Sequence, residues 1–349
     1  MQMQIDYSGV TVHDPGRSTR GYVLFAPAQS SQALLVDYEG EIRHRWDVRG
    51  KSTNWCYLLP SGNLFMNEAG STPAPIPFGA GLMREYSREC SVVWEHEDTM
   101  QHHDARRLED GRTVYLAWEE MDEVQAAAIG GGVPGSEADG AIYGEVIREI
   151  DESGAVVWEW RLADHAAWPF HRNAVRRNYG HANSIHPLEN GDYLLSFKVL
   201  NLLAIVSRET GDIVWEFQDD ALGGQHDAQM TESGTILVFA NGTYSPDLAH
   251  SQVWEIDKES KKVVWRFTER KNPMNFFSTH ISGVQRLPSG NTLICEGAKG
   301  AIFEVTPDHD VVWHYVNPNW QSHPGFASIN WIYRARHYAP DCPEIENLL

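Results

Sequence analysis

Histidines recur at matched positions along this 349-residue chain. Each stands eight or ten residues before the glycine of a recurring short turn, and the four are His103, His181, His226 and His280. Residues two apart on a β-strand face the same side, so we expect the four imidazoles to converge if the turns belong to equivalent strands. Neutral imidazole can attack an electrophile, move a proton or bind a transition metal. The pattern therefore predicts a histidine site.

Amide and basic side chains accompany these histidines. Asn54 and Asn183 stand eight residues before the turn glycine of their own units, and Asn330 lies in an Asn-Trp pair that echoes Asn54. Arg177 lies in an arginine-rich loop that leads to His181. Hydrogen-bond donors of this kind stabilise charge on an anionic group. The three asparagines, Arg177 and His280 are therefore the candidate substrate-binding residues.

Six tryptophans mark the elements that must position these side chains. They recur at intervals of 48, 64, 57, 50 and 48 residues, and they are Trp46, Trp94, Trp158, Trp215, Trp265 and Trp313. Between them run short alternating apolar segments separated by turns. Four short strands in each repeat of about 40 to 50 residues are typical of a β-propeller blade. We expect the six tryptophans to pack between blades.

The repeat predicts an all-β chain, a six-bladed β-propeller of four-stranded antiparallel blades, as one domain over residues 1–349. The predicted blades are residues 52–98, 99–162, 179–220, 222–270 and 278–317. A closing blade combines residues 326–338 with residues 21–48, so that N-terminal strands pair with a C-terminal strand and close the ring. The long connections, residues 71–80, 119–144 and 161–180, lie at the end where the histidine-bearing strands begin. The glycine-rich connection 119–144 is either a cover for the site or a solvated insertion.

Composition and charge limit the partners. The formal net charge is −20, which repels nucleic acid and anionic membranes, so we expect neither as a partner. The expected partner is a small aromatic or anionic molecule. No signal peptide and no long apolar segment is visible, which predicts a cytoplasmic protein, or a periplasmic one if the chain is a trimmed mature form. Four cysteines lack zinc-site spacing, so we expect them to be reduced and structural. The sequence is silent on oligomeric state.

Three motifs resemble the bacterial arylsulfotransferase family: Gln101-His-His-Asp-Ala-Arg, Gly180-His-Ala-Asn-Ser-Ile, and Gly224-Gln-His-Asp-Ala-Gln followed by Val238-Phe-Ala-Asn-Gly. The resemblance covers residues 20–335 and implies a six-bladed propeller that needs no adenosine-phosphosulfate donor and no cofactor. It implies that one histidine takes a sulfuryl group from an aryl sulfate and passes it to a phenol.

The resemblance also assigns roles. His226 resembles the histidine that becomes sulfated, His103 resembles the second catalytic histidine, and His181 with Asn183 resembles a pair that binds sulfate. The family carries an arginine on the next strand, where this chain has Lys198. We expect Lys198 to substitute for it, although lysine lacks the planar fork of a guanidinium group.

Two alternatives stay open. Four imidazoles on a propeller axis also resemble the four-histidine iron site of the carotenoid cleavage oxygenases, so His103, His181, His226 and His280 could bind one ion of Fe, Cu, Zn or Ni. Carboxylates would then have to orient the rings, and the candidates are Glu68, Glu119 and Glu296. The chain could also be a propeller that binds a small ligand without catalysis.

Overall fold

The computed structural model describes residues 8–50, 52–70, 81–137, 139–165, 168–246, 248–323 and 325–349, with side chains for all of these except residues 52–54, 326 and 327. The protein is nearly all-β. Six four-stranded antiparallel sheets follow one another along the chain, and two of them carry a fifth strand. They are the blades of a six-bladed β-propeller, as the sequence predicts. The predicted long connection 71–80 lies outside the described residues.

Each blade runs from an innermost to an outermost strand. Blade 1 contains Ser52–Leu58, Leu64–Ala69, Gly81–Tyr86 and Val92–Glu97. Blade 2 contains Gln101–Arg107, Thr113–Glu120, Tyr143–Ile150 and Val156–Arg161. Blade 3 contains Ala182–Pro187, Tyr193–Phe197, Leu202–Val206 and Ile213–Gln218. Blade 4 contains His226–Met230, Ile236–Ala240, Gln252–Asp257 and Lys262–Phe267. Blade 5 contains Gly283–Arg286, Thr292–Glu296, Ala301–Val305 and Val311–Val316.

The closing blade is built from both ends of the chain. Its strands are Ile332–Tyr338, Tyr22–Pro27, Gln32–Asp37 and Ile42–Asp47. Antiparallel pairing of the first two confirms the predicted closure. Asn330 precedes the closing strand, because the residues before it form a separate hairpin of Gln321–His323 and Phe326–Ile329.

The remaining elements are short. Gly9–His13 adds a fifth strand to the outer edge of blade 5, and Asn178–Tyr179 pairs with the third strand of blade 2. The α-helices are Glu123–Ala128 and Pro343–Glu346. The 3-10 helices are Leu162–Asp164, Lys198–Leu200, Asp220–Leu222, Pro273–Asn275 and Gly297–Lys299. Within the described ranges, no helix is long and apolar enough to cross a membrane.

The chain divides into two compact units. One comprises Met1–Met66, Glu85–Trp94 and Ile281–Leu349, and the other comprises Asn67–Arg84 and Glu95–His280. Each has its own buried apolar clusters. In the first, Trp46 and Trp313 are fully buried, whereas the second is centred on side chains such as Tyr193, Phe197 and Trp254. The catalytic histidines proposed from the sequence all belong to the second unit.

The recurring tryptophans tie neighbouring blades together within each unit. The indole nitrogen of Trp215 on blade 3 donates to the Lys258 carbonyl of blade 4 at 2.8 Å. The indole nitrogen of Trp313 on blade 5 donates in the same way to the Tyr38 carbonyl of the closing blade, at 2.8 Å. Packing between blades is therefore confirmed for these two tryptophans.

A second repeated contact holds the strands of single blades together. The residue after the turn glycine donates to a glutamate on the third strand of the same blade. The four pairs are Asn63 with Glu85 at 2.7 Å, Arg112 with Glu149 at 2.5 Å, Thr235 with Glu255 at 2.7 Å, and Asn291 with Glu304 at 2.5 Å. Glu149 also receives a two-pronged ion pair from Arg208 and a hydrogen bond from Tyr193.

Described residues of the insertion 119–144 contact those of the connection 161–180. Gly131–Val133 pairs in parallel with Phe170–Val175. The guanidinium group of Arg176 donates to the Glu137 carboxylate at 2.8 Å and to two backbone carbonyls of the insertion. Arg176 is thus a structural link, and the cluster of arginines that the sequence suggested is partly used for folding.

Candidate active site

Bulges interrupt the innermost strands of blades 2, 3 and 4 where the site begins. The pairing register shifts in all three strands. Three residues there have left-handed backbone, namely His103 and His181 with φ of +48° and Asp227 with φ of +56°. Such a conformation costs a non-glycine residue about 1 to 3 kcal/mol, and it clusters at functional sites. Because each bulge re-aims side chains, simple alternation along the strands does not describe the site.

His226 is held by Asn241, which belongs to the second strand region of the same blade. Nδ1 of His226 lies 2.7 Å from the Asn241 side-chain oxygen. The amide nitrogen of Asn241 donates to the Ser278 carbonyl at 2.8 Å, which fixes the orientation of the amide. An amide oxygen only accepts, so Nδ1 of His226 carries a proton, and in the neutral imidazole the lone pair is on Nε2. The carboxylate of the adjacent Asp227 accepts from the Gln229 amide at 2.8 Å.

His103 contacts two other histidines. Its Nδ1 lies 2.9 Å from Nδ1 of His102, and its ring centroid lies 4.8 Å from that of His181. His102 is fully buried, stacks on Trp118 at a centroid distance of 4.2 Å, and places Nε2 3.1 Å from the Glu145 carboxylate. Neither His102 nor Glu145 was singled out as a site residue from the sequence.

His181 has the opposite proton arrangement from His226. The amide nitrogen of Asn178 lies 2.7 Å from Nδ1 of His181. An amide nitrogen only donates, so Nδ1 accepts and the His181 proton is on Nε2. His181 therefore presents a hydrogen-bond donor at Nε2, whereas His226 presents a lone pair there.

Lys198 supplies a cation beside the imidazoles. It follows the second strand of blade 3, and its backbone N–H donates to the His181 carbonyl at 3.1 Å. Burial lowers the pKa of Lys198 to about 8. Burial, followed by the charges of His181, His102, His226 and Lys198, holds the pKa of His103 well below its usual value.

The pKa of His181 is lowered in the same way, first by burial and then by the charge of Lys198. Charge–charge interactions weaken with distance, so groups that act on one another's pKa lie in the same region. His103 and His181 are in ring contact, and the charges of His226 and Lys198 lower the pKa values of both, so the four side chains lie in one region of blades 2 to 4.

Two backbone contacts keep blade 4 in place beside blade 3. The side-chain amide of Asn183 donates to the Gln225 carbonyl at 2.7 Å, and Ser184 accepts the Ala228 N–H at 3.1 Å. Gly224 has φ of +85°, and a Cβ there would approach the Tyr244 ring to 3.0 Å. Asn183 thus positions the residue that precedes His226.

The other predicted site residues lie in different settings. His280 is half-buried, and its Nδ1 lies 3.0 Å from the Thr279 hydroxyl. Arg177 is half-buried, and its carbonyl accepts the Tyr143 N–H at 2.9 Å. Asn330 pairs with Asn317 through reciprocal amide-to-carbonyl hydrogen bonds of 2.9 and 3.2 Å. The Asn54 side chain lies outside the described residues.

The carboxylates considered for orienting a metal site pair with cations. Glu68 pairs with Arg84 at 2.8 Å, Glu119 with Arg161 at 2.6 Å, and Glu296 with Lys299 at 2.6 Å. Among the described side chains, no group of three or more His, Cys, Asp or Glu residues is arranged to hold a metal ion.

The sequence matches the model of one protein family over most of its length. The model of arylsulfotransferase (ASST) matches residues 56–318. The chain belongs to the arylsulfotransferase family. No curated protein matches it.

Solved structures share the fold at low identity. A protein of unknown function from Bacteroides caccae is 12% identical, with a TM-score of 0.56, and covers 91% of this chain and 98% of its own. A streptogramin B lyase structure is 10% identical, with a TM-score of 0.51, and the match covers 95% of this chain and 93% of the lyase chain. Virginiamycin B lyase from Staphylococcus aureus is 11% identical, with a TM-score of 0.50, and the match covers 89% of this chain and 85% of the lyase chain. These structures are similar in fold alone.

Proposed function

We propose that this arylsulfotransferase-family protein transfers a sulfuryl group from an aryl sulfate to a phenol through a sulfated His226. The observation that carries the proposal is the contact of His226 Nδ1 with Asn241, which leaves the lone pair on Nε2. Neutral imidazole with a fixed lone pair is a competent nucleophile beside a histidine that can accept a proton.

In the first half-reaction, Nε2 of His226 attacks the sulfur atom of the donor. The S–N bond forms while the bond between sulfur and the aryl oxygen breaks, and the electron pair leaves with that oxygen as a phenolate. The Lys198 ammonium group and the Nε2–H of His181 stabilise negative charge on the sulfuryl oxygens.

In the second half-reaction, the acceptor phenol gives its proton to Nε2 of His103. Its oxygen forms the new S–O bond, the S–N bond breaks, and the electron pair returns to Nε2 of His226. His103 then releases the proton to water. His103 is uncharged and has a lone pair that can accept this proton, because burial holds its pKa well below the usual value.

Lys198 takes the place expected for the family arginine. One ammonium group supplies charge without the two-pronged geometry of guanidinium, so His181 has to provide the second donor. We propose that Arg177 and His280 contact the aryl parts or further oxygens of the substrates. We also propose that the reaction needs no metal ion or organic cofactor, and that the protein acts in the cytoplasm.

The decisive experiment follows p-nitrophenol release from p-nitrophenyl sulfate with a second phenol as acceptor. We expect turnover, and on omission of the acceptor one SO3 group on the peptide that contains His226. His226→Ala should abolish both, whereas His165→Gln, at an exposed histidine, should abolish neither. The proposal is wrong if several aryl sulfates give no turnover, or if His226→Ala remains active.

The same assay tests the metal-free proposal. Protein dialysed against a chelator should keep full activity and contain no stoichiometric transition metal by elemental analysis. Activity that disappears on dialysis and returns with one metal equivalent would overturn it.

A further inference from the structure

A buried carboxylate lies behind the histidine pair of blade 2. Glu145 is on the third strand of that blade, and only 1% of its surface is exposed. One of its oxygens accepts the backbone N–H of Ala182 at 2.9 Å. A Cβ on Gly180 would approach Cγ of Glu145 to 2.5 Å, so glycine at that position leaves room for the carboxylate.

The second oxygen of Glu145 faces His102. Oε2 lies 3.1 Å from Nε2 of His102, an ion-pair distance, and both atoms are buried without an aligned hydrogen bond among the described residues. At this distance an N–H on Nε2 of His102 is attracted to the negative carboxylate, whereas a lone pair there would be repelled by it. The stacked ring of Trp118 holds the His102 imidazole at an interplanar angle of 13°.

This contact determines where the protons are on both histidines. A carboxylate only accepts, so His102 carries its proton on Nε2 and has a lone pair on Nδ1. Nδ1 of His103 lies 2.9 Å from that lone pair and must therefore carry the His103 proton. The lone pair of His103 is then on Nε2.

We propose that Glu145 and His102 are positioning residues that set Nε2 of His103 as the base for the acceptor phenol. The inference rests on the proposed function, because the base is needed only if a phenol accepts the sulfuryl group. When His103 takes the phenol proton, the imidazolium charge is stabilised through His102 by the Glu145 carboxylate.

Glu145→Gln should reverse the arrangement without changing its shape. The Ala182 N–H holds the amide oxygen in place, so the amide nitrogen faces Nε2 of His102. That nitrogen only donates, and the proton of His102 must move to Nδ1. His103 then accepts at Nδ1 and carries its own proton on Nε2, where it can no longer act as a base.

Kinetics of the two half-reactions test the inference. We expect the burst of p-nitrophenol to be unchanged in Glu145→Gln, whereas transfer to an un-ionised phenol falls by roughly 10²- to 10⁴-fold. Acceptors that are ionised at the assay pH should be far less affected, because they need no base. A merely structural role would slow both half-reactions alike.

Two further variants keep the test interpretable. His102→Phe preserves stacking on Trp118 and should show the same selective loss, even if Glu145→Gln does not fold. Glu255→Gln, on the third strand of blade 4, should leave both half-reactions unchanged. Equal transfer rates to un-ionised phenols in wild type and Glu145→Gln would overturn the inference.

Nitrogen-15 NMR of the histidines separates this inference from the proposed function. We expect His103 to be protonated at Nδ1 in the wild type and at Nε2 in Glu145→Gln. If the wild type transfers no sulfuryl group, the proposed function fails, and a tautomer exchange would still support the Glu145–His102 arrangement. Unchanged His103 tautomers would overturn it in either case.

Discussion

The Asn241 side-chain oxygen lies 2.7 Å from Nδ1 of His226, and the Asn241 amide nitrogen is committed to the Ser278 carbonyl. Two hydrogen bonds thus fix the proton on the proposed nucleophile before any substrate arrives. The neighbouring Asp227, although adjacent in sequence, bonds Gln229.

Replacing the orienting amide should slow the first half-reaction. Loss of a buried hydrogen bond is worth about 1 to 3 kcal/mol, so we expect Asn241→Leu to reduce the burst rate of p-nitrophenol about 10- to 100-fold. Asn291→Leu removes a buried amide that bonds Glu304, and should lower the Tm without changing the burst rate. Equal burst rates in Asn241→Leu and wild type would show that Asn241 does not orient the nucleophile.

Donor binding should weaken in alkaline solution. The pKa of Lys198 is about 8, so its positive charge is present below that pH and is lost above it. We expect the KM for p-nitrophenyl sulfate to rise through this range, and Lys198→Met to give a high KM at every pH. Lys198→Arg should keep a low KM in alkali, because guanidinium remains charged.

A surface lysine provides the control for that series. Lys262→Met, at an exposed position, should reproduce the wild-type profile. A wild-type KM that stays constant across the range would contradict the role of Lys198.

The free energy of unfolding should fall as the solution becomes acidic. Burial lowers the pKa values of His103 and His181 below the ordinary 6.5. Below pH 6.5 the unfolded chain therefore binds protons that the folded chain does not, and stability is lost as pH falls. Urea unfolding between about pH 7.5 and 5 should show this slope, and His181→Gln should reduce it. His165→Gln is the exposed control, and identical slopes in all three proteins would refute the explanation.

The Glu149 cluster should contribute more to stability than surface ion pairs. Its carboxylate is buried and bonds Arg112, Arg208 and Tyr193. Glu149→Ala would remove the shared partner of two guanidinium groups that are about one-third exposed, and would leave the buried Tyr193 hydroxyl without this bond. We therefore expect a loss of about 3 kcal/mol in denaturant unfolding, the lower end of the range for breaking a buried ion pair. Asp110→Ala removes the exposed partner of Arg112 and should lose at most about 1 kcal/mol. Similar losses for both variants would mean that burial of Glu149 is unimportant.

The propeller could be predicted because its signals are periodic. Trp215 and Trp313 repeat at blade intervals, and their contacts with the next blade follow from that regular placement. The repeated glutamates of the third strands, such as Glu85 and Glu255, were also periodic in the sequence. Their role was missed because each is hydrogen-bonded to a turn residue 13 to 37 positions away, a pairing that only the folded blade reveals.

The sequence motifs single out the histidines of the candidate site, but they do not reveal the partners that orient them. Asn241 lies in the Val238-Phe-Ala-Asn-Gly motif, yet nothing local to it indicates that it faces His226. Glu145 gave no signal, because it stands on the third strand of a blade whose inner strand carries His102. The left-handed backbone at His103 and His181 also has no sequence signature, and it is this feature that changes which neighbours the imidazoles face.

Glu145 has one oxygen on the backbone of blade 3 and the other beside a histidine of blade 2. A sliding of these two blades by a fraction of an ångström would move the carboxylate away from one partner or the other. The proton arrangement of His102 and His103 therefore reports the alignment of the two sheets. On warming, loss of turnover should precede loss of secondary structure, since misalignment at this joint disables the base while every strand is still formed.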